Sequence, residues 1–80
     1  MNKREFIEMI LAFYGYKPTE INNYREGGTQ GTLVSVWEIE ADNNEIEDSL
    51  SIRESSFKEA IYHLLKEIEQ NTKTKVEWFI

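Results

Sequence analysis

The chain has 80 residues, with no cysteine, one histidine and a formal net charge of −6. This length predicts a single domain, residues 1–80, near the lower limit for folding without disulfides or metals. The composition excludes a disulfide framework and a Cys/His zinc site, and the negative charge opposes direct binding to nucleic acid or to an anionic membrane.

Residues 3–14 are predicted to form the first helix. Asn2 can cap its N-terminus together with Glu5 at the third helical position, as in a capping box, and Gly15 ends it. Apolar side chains cover most of its surface, so the helix is either buried on two sides or keeps an apolar patch for a partner. Acidic residues interrupt this short apolar run and no cleavage site follows it, so we expect neither a signal peptide nor a membrane span but a cytoplasmic protein.

Residues 19–25 are a weak strand candidate, because two adjacent asparagines dilute the apolar pattern. Residues 26–31 are rich in glycine and are expected to form a flexible connection. No Gly-Lys-Ser/Thr sequence and no helix follows them, so they do not have the features of a phosphate-binding loop.

Residues 32–41 are the clearest strand, and residues 45–53 are its predicted partner. Apolar and polar side chains alternate along both, as expected for strands with one buried face. Asn43 and Asn44 tolerate positive φ values and therefore predict a two-residue hairpin turn.

This short turn also predicts the register of the two strands. On the polar side it places like charges together: Asp42 opposite Glu45, and Glu40 opposite Glu47. Each such pair costs about 0.2–1 kcal/mol.

Residues 56–71 are predicted to form the second helix, with Ser56 and Glu59 as its capping box and apolar residues at helical spacing. Residues 76–80 are the predicted closing strand. The order α-(β)-β-β-α-β indicates an α+β fold, a two-layer domain with a mainly antiparallel sheet packed against two helices. The residues expected in the core are Trp37, Leu50, Ile52, Phe57, Ile61, Leu64 and Leu65.

Segment 38–48 holds six acids and no base, whereas the rest of the chain holds equal numbers of acids and bases. Their mutual repulsion would be relieved by a cationic partner, and Arg or Lys side chains accept rows of carboxylates as they accept phosphates. We therefore expect these acids to bind a basic protein surface. A solvated hairpin tip that keeps the protein soluble is the alternative explanation. The candidate partner-binding residues are Glu38, Glu40, Asp42, Glu45, Glu47 and Asp48.

A calcium site and a catalytic site are two further possibilities for the same segment. Asp42 and Asn44 match the start of a calcium loop, but Ile46 occupies the next ligand position and no glycine follows. Catalysis by paired carboxylates needs a pocket that shifts a pKa, which a convex hairpin tip does not provide. We expect no catalytic residue, no metal, no cofactor and no enzymatic activity.

His63 lies beside the apolar face of the second helix, one turn from both Glu59 and Glu67, and is expected to form i,i+4 ion pairs. The sequence shows no nucleophile converging on it. The aromatic residues at 13–16 and 78–79 are assigned to the core and its margin, because a base-stacking platform would carry interleaved basic residues.

The order helix, three-stranded meander, helix over residues 3–70 resembles a double-stranded-RNA-binding domain. That family has a basic cluster at the start of its second helix, where this chain has Ser55-Ser56-Phe57-Lys58-Glu59. We therefore do not infer RNA binding from this resemblance.

The same order in a short acidic chain without cysteines also resembles small anti-CRISPR proteins encoded by phages of low-GC bacteria. The shared elements are the strand at residues 32–41, the acid-rich hairpin to Asp48 and the helix from Ser56. In such proteins an acidic sheet surface occupies the basic channel through which a CRISPR nuclease contacts DNA. The resemblance implies a DNA mimic whose contact residues are the six acids of segment 38–48.

Two functional hypotheses follow. In the first, a non-enzymatic inhibitor or modulator, encoded by a phage or mobile element, presents these acids to a basic nucleic-acid-binding protein. In the second, a structural or assembly module self-associates or docks through apolar surface of residues 3–14 or 76–80. Salt separates the two, because only the first predicts an affinity that falls steeply as salt rises.

Overall fold

The computed structural model describes residues 1–28 and 31–75. The three strands form one antiparallel sheet in the order β1-β2-β3, and the predicted α+β class is confirmed. The predicted strand at residues 76–80 lies outside the described residues. The elements in chain order are α1 (Lys3–Phe13), β1 (Lys17–Gly27), β2 (Leu33–Asn43), β3 (Asp48–Glu54) and α2 (Phe57–Thr72).

Helix α1 begins at the predicted residue and ends at Phe13, one residue before the predicted end. Asn2 Oδ1 accepts a hydrogen bond from the Glu5 backbone N–H at 2.8 Å, and Glu5 Oε1 accepts one from the Asn2 backbone N–H at 3.2 Å. The capping box is therefore complete. After the helix the chain turns through Gly15, whose φ of +83° is one that residues with a Cβ rarely adopt.

Strand β1 is longer than the sequence predicts. It runs alongside β2 from Lys17, opposite Asp42, to Gly27, opposite Leu33, with one irregularity near Pro18. Ile21 is the only residue of β1 that is buried. The strand forms because it pairs with β2 along its length, and its own weak apolar pattern could not show this.

The predicted turn between β2 and β3 is wrong. Strand β2 continues to Asn43, which stands opposite Asp48, and residues 44–47 make the connection. The predicted second strand therefore loses its first three residues to the turn. Within the turn the positive φ of 51° falls on Glu47 rather than on an asparagine.

The predicted register is wrong for the same reason. Glu40 faces Ser51 and Asp42 faces Ser49, so the like-charge pairs with Glu47 and Glu45 do not form. The pairing is displaced by an even number of residues, which leaves each side chain on its predicted face of the sheet. The inside and the outside of the hairpin were therefore predicted correctly, while the cross-strand partners were not.

Both helices pack on the same face of the sheet and run in the same direction. At their first turns the rings of Phe6 and Phe57 lie 6.1 Å apart between centroids. At the other end, the Tyr16 hydroxyl and the Asn71 amide both donate to Oδ2 of Asp48, at 2.7 and 2.8 Å. These contacts place the start of α1 beside the start of α2 and the two ends together.

The core lies between this face and the helices. The predicted core residues are buried, except Phe57, which is partly buried against Trp37 at 5.2 Å between ring centroids. Ser56 Oγ caps α2 by accepting from the Glu59 backbone N–H at 3.2 Å, which is one of the two hydrogen bonds of the predicted capping box. The buried stripe of α2 is Ala60, Ile61, Leu64, Leu65 and Ile68.

Candidate functional site

The face of the sheet opposite the two helices is the main candidate surface. Because side chains alternate along a strand, the residues between the core positions point to this side. Both described helices contact the other side. We name this surface the open face, and its members are Glu20, Asn22, Tyr24 and Glu26 on β1, Val34, Val36, Glu38, Glu40 and Asp42 on β2, and Ser49, Ser51 and Arg53 on β3.

Most of the net charge lies on the open face and on the turn at residues 44–47. Together with Lys17, which stands opposite Asp42, they hold seven acids and two bases, a net charge of −5 against −6 for the whole chain. The remaining acids and bases nearly cancel. The charge asymmetry predicted for segment 38–48 therefore extends over one side of the sheet.

Among the described residues, Arg53 is the one cation that we assign to the open face, and three neighbours bind it. Its guanidinium donates to the Tyr24 hydroxyl and to Glu38 Oε2, both at 2.9 Å, and forms an ion pair with Glu26. The hydrogen bonds with Tyr24 and Glu26 raise the pKa of Arg53 above its usual value. Glu38, a predicted contact residue, is therefore already paired within the molecule.

Glu40 has a different environment. It stands between Glu20 on β1 and Ser51 on β3, and it makes no hydrogen bond or ion pair with the described residues. Glu20 accepts a hydrogen bond from the Asn22 amide at 3.1 Å and forms no ion pair with a described cation. The chain thus contains a like-charge cross-strand pair, Glu20 opposite Glu40, at a place where the sequence did not indicate one.

Asp42 is held by polar neighbours. The Ser49 hydroxyl donates to Asp42 Oδ1 at 2.7 Å, and Lys17 stands opposite on β1. Glu45 and Glu47 lie exposed in the turn, where the Glu45 backbone N–H donates to Asn43 Oδ1 at 3.1 Å. Four of the six predicted contact residues, these three and Glu40, are therefore brought to one side and one end of the sheet.

Asp48 does not belong to the open face. It points toward the helices, as its position in the alternating pattern predicts, and accepts the hydrogen bonds from Tyr16 and Asn71. The pKa of the Tyr16 hydroxyl is raised above its usual value. Burial is the largest cause, and the hydrogen bond to Asp48 is the second. The structure gives Asp48 a role in joining the ends of the two helices to β3.

Two acidic residues of the open face, Glu20 and Glu26, were not predicted from the sequence. Both lie on β1, whose pattern was too weak to assign a face to its side chains. The role of Asn43 was not predicted either: its side chain is buried and donates to the Tyr14 carbonyl at 3.3 Å. A buried asparagine at the end of a strand gives no signal that distinguishes it from a turn residue.

His63 has one of the two predicted ion-pair partners. Its Nε2 lies 3.4 Å from Glu67 Oε1, as predicted, but its Nδ1 lies 2.8 Å from Oε2 of Glu54 at the end of β3 instead of contacting Glu59. The histidine therefore ties α2 to β3. No three His, Cys, Asp or Glu side chains of the described residues lie close enough to hold a metal ion.

Helix α1 keeps an exposed apolar surface. Phe13 is 73% exposed and Met9 is also exposed, while Ile7, Ile10 and Leu11 are buried. Helix α1 is therefore not buried on two sides; one side is buried and the other keeps an exposed apolar patch. None of the described helices is long and apolar enough to cross a membrane.

Comparison of the chain with protein-family models, with curated proteins and with solved structures finds no match.

Proposed function

We propose that this chain is a non-enzymatic interaction protein whose acidic open face binds a basic surface of another protein. The observation that carries the proposal is the cross-strand pair Glu20 and Glu40, which places two carboxylates side by side with no described cation between them. Paired side chains on neighbouring strands have Cβ atoms about 4.5–5.5 Å apart. One arginine from a partner can therefore contact both and replace their repulsion with charge-assisted hydrogen bonds.

Arg53 provides an example of this chemistry within the same sheet. Its guanidinium lies between Glu26 and Glu38 and binds both. Two residues beyond Glu38 on β2, Glu40 stands directly opposite Glu20, whereas Glu26 and Glu38 stand opposite Val34 and Asn22. A partner arginine at Glu20 and Glu40 would bind one carboxylate from β1 and one from β2, as Arg53 does.

The proposed contact residues are Glu20, Glu40 and Asp42 on the sheet, with Glu45 and Glu47 in the turn. Glu38 is left out because it is paired with Arg53, and Asp48 because it points toward the helices. Carboxylates that project in rows from a stiff sheet resemble the phosphates of a nucleic-acid strand to an arginine- or lysine-lined groove. The proposed partner is therefore a nucleic-acid-binding protein, such as a CRISPR nuclease, and the proposed effect is inhibition or modulation by occupying its basic groove.

The first experiment measures binding of a nona-arginine peptide by calorimetry at about 0.05 M and 0.5 M salt. Affinity should fall steeply, since the Debye length shrinks from roughly 14 to 4 Å. The double variant Glu20→Lys with Glu40→Lys should lose binding at low salt, because contact with a cation becomes repulsive. Glu8→Lys on α1 is the control: it changes charge away from the open face and should bind nearly as well as wild type.

The second experiment tests DNA mimicry directly. A CRISPR nuclease loaded with guide RNA is mixed with its target DNA and increasing amounts of this protein. Competition that disappears in the double variant supports the proposal. If the double variant binds nona-arginine and competes with DNA as well as wild type, the open face is not the binding surface.

The exposed surface of α1 supports a second candidate function, assembly through apolar contacts. Phe13 is largely solvent-exposed at the end of the helix, beside the partly buried Tyr14 with ring centroids 4.9 Å apart. Under this alternative, sedimentation should show an oligomer that persists at 0.5 M salt, in contrast to the salt-sensitive binding above. Phe13→Ser should dissociate it, whereas Tyr62→Ser, which changes an exposed aromatic residue on α2, should not.

A further inference from the structure

Strand β2 is longer than β3, and the difference leaves a step at the edge of the sheet. Strand β3 ends at Glu54, opposite Trp37, whereas β2 begins at Leu33. Along residues 33–36 β2 pairs with β1 on one side, and no described strand pairs with it on the other. Because alternate residues of an antiparallel strand turn their N–H and C=O groups to either side, this step presents backbone groups that pair with no other described strand.

A shallow depression occupies the step. The side chain of Val36 is 4% exposed and forms its floor, while Val34 is 43% exposed and Leu33 beyond it is 62% exposed. Apolar side chains beside an unpaired strand edge are what an added strand requires, since backbone hydrogen bonds give affinity and pockets for alternate side chains give specificity. The residues that line the depression are Glu26, Val34, Ser35, Val36, Arg53, Glu54 and Ser55.

Charge indicates what kind of strand would fit. Glu26, Arg53 and Glu54 line the depression; Glu26 is paired with Arg53 and Glu54 with His63, and the chain as a whole carries −6. A basic strand is therefore attracted to the step, whereas a second copy of this acidic chain is repelled. Pairing of two copies over residues 33–36 alone would also bury far less than the roughly 1,000 Å² that a specific interface needs.

We propose that residues 33–36 accept an extended basic segment of a partner protein as an added strand, in line with β3. Apolar side chains at alternate positions of that segment would cover Val34 and Val36, and its lysines or arginines, at the intervening positions, would project from the opposite face of the sheet, on the side of Glu54. The inference shares the basic partner with the proposed function and rests on it in that respect. The added strand would bind through the backbone edge of β2 and not through the carboxylates of the open face.

The test uses two acetylated and amidated peptides as probes, Lys-Val-Lys-Val-Lys-Val and Lys-Pro-Lys-Pro-Lys-Pro. Both carry the same charge, but proline has no N–H to donate and cannot complete a ladder. Amide hydrogen exchange of the labelled protein is followed by NMR with and without each peptide. The valine peptide should slow exchange of the outward-pointing amides within residues 33–36 by about tenfold or more, and the proline peptide should not.

Variants separate strand addition from binding at the open face. Val34→Lys places a charge on the step and should lower the affinity for the valine peptide by about tenfold, because lysines at a strand edge block strand pairing. Val34→Thr, which keeps a β-branched side chain, is the matched control and should retain binding. Glu40→Lys tests the open face. Any loss of affinity that it causes should be the same for the two peptides, since it acts through charge alone.

Three results would overturn the proposal. One is slow exchange of the edge amides within residues 33–36 in the free protein, which would show that this edge is already paired. Another is equal protection of these amides by the valine and proline peptides. The third is unchanged affinity of Val34→Lys for the valine peptide. None of these depends on Glu20 and Glu40, so the proposed function could fail or succeed separately.

Discussion

Among single residues, Tyr16 is a clear case of a side chain whose pKa is changed by the fold. Its ring is buried at the end of α1, and its hydroxyl donates to Asp48 at the start of β3. Ionising this hydroxyl would bury a second negative charge beside the carboxylate, which is why the pKa of Tyr16 is raised. The neutral side chain therefore contributes to stability.

This contribution should depend on pH. Because the pKa of Tyr16 is higher in the folded state than in the unfolded state, its contribution is complete below about pH 10, the usual tyrosine pKa, and decreases as the pH rises above that value. Tyr16→Phe should lower the free energy of unfolding by about 1–3 kcal/mol at pH 8. The difference from wild type should shrink at pH 11, as measured by urea unfolding.

Tyr62→Phe serves as the control, since Tyr62 is exposed on α2. It should change the stability little and show no comparable dependence on pH. A difference between wild type and Tyr16→Phe that stays constant from pH 8 to pH 11 would contradict the assignment.

Glu40 and Asp42 are a second test at this scale, because the observed register predicts opposite effects for the same substitution. Glu40→Lys turns a like-charge pair with Glu20 into an opposite-charge pair and should raise the free energy of unfolding by roughly 0.2–1 kcal/mol. Asp42→Lys places a cation opposite Lys17 and removes the acceptor of the Ser49 hydroxyl, so it should be destabilising. Urea unfolding of the two variants at low salt measures both; stabilisation by Asp42→Lys would mean that the register is not the one described.

Among the elements, α2 contributes the largest continuous apolar stripe to the core. Leu64 is fully buried at its middle. Leu64→Ala should lower the free energy of unfolding by about 2–5 kcal/mol, since it leaves a cavity that the surrounding side chains cannot fill completely. This is a large part of the stability of a domain of this size.

Lys66→Ala, at an exposed position of the same helix, is the control for helix propensity and should have little effect. The comparison is made by urea or thermal unfolding of the two variants and wild type. A loss below about 1 kcal/mol for Leu64→Ala would show that α2 does not pack against the sheet as described.

At the scale of the whole molecule, the sheet is longer than the helix layer that covers it. The chain measures 44 × 25 × 23 Å. Near the start of α1, the Arg4 guanidinium donates to the Ile21 carbonyl at 2.7 Å, and Phe57 at the start of α2 contacts Trp37. Beyond these contacts β1 and β2 continue as a two-stranded ribbon over residues 24–27 and 33–36.

Stability should therefore decrease along the long axis. Amides of β2 near Ile39 and Ala41 lie between two strands and under both helices, so their exchange should require global unfolding. Paired amides of residues 33–36 should open locally at a lower free energy. Native-state hydrogen exchange at several urea concentrations measures both; equal opening free energies along β2 would contradict this gradient.

Much of the fold could be predicted from local patterns. The capping box at Asn2, the N-cap at Ser56, the stripe of α2 and the inward or outward side of each residue in β2 and β3 all follow from patterns within a few residues. The site was predicted only in part. Glu38 and Asp48 were included with the other acids of their segment, although Arg53 and Tyr16, distant in sequence, bind them in the fold.

The sequence by itself determined the α+β class, the faces of the strongly patterned elements and the acidic character of segment 38–48, because short-range periodicity and charge do not depend on distant partners. The tertiary structure alone decided the register of β2 and β3, the full length of β1 and the pairing of Glu20 with Glu40. The physical reason is that the packing of the whole core determines which residues pair across two strands. Displacement of a strand by an even number of residues leaves the alternating pattern of the sequence unchanged.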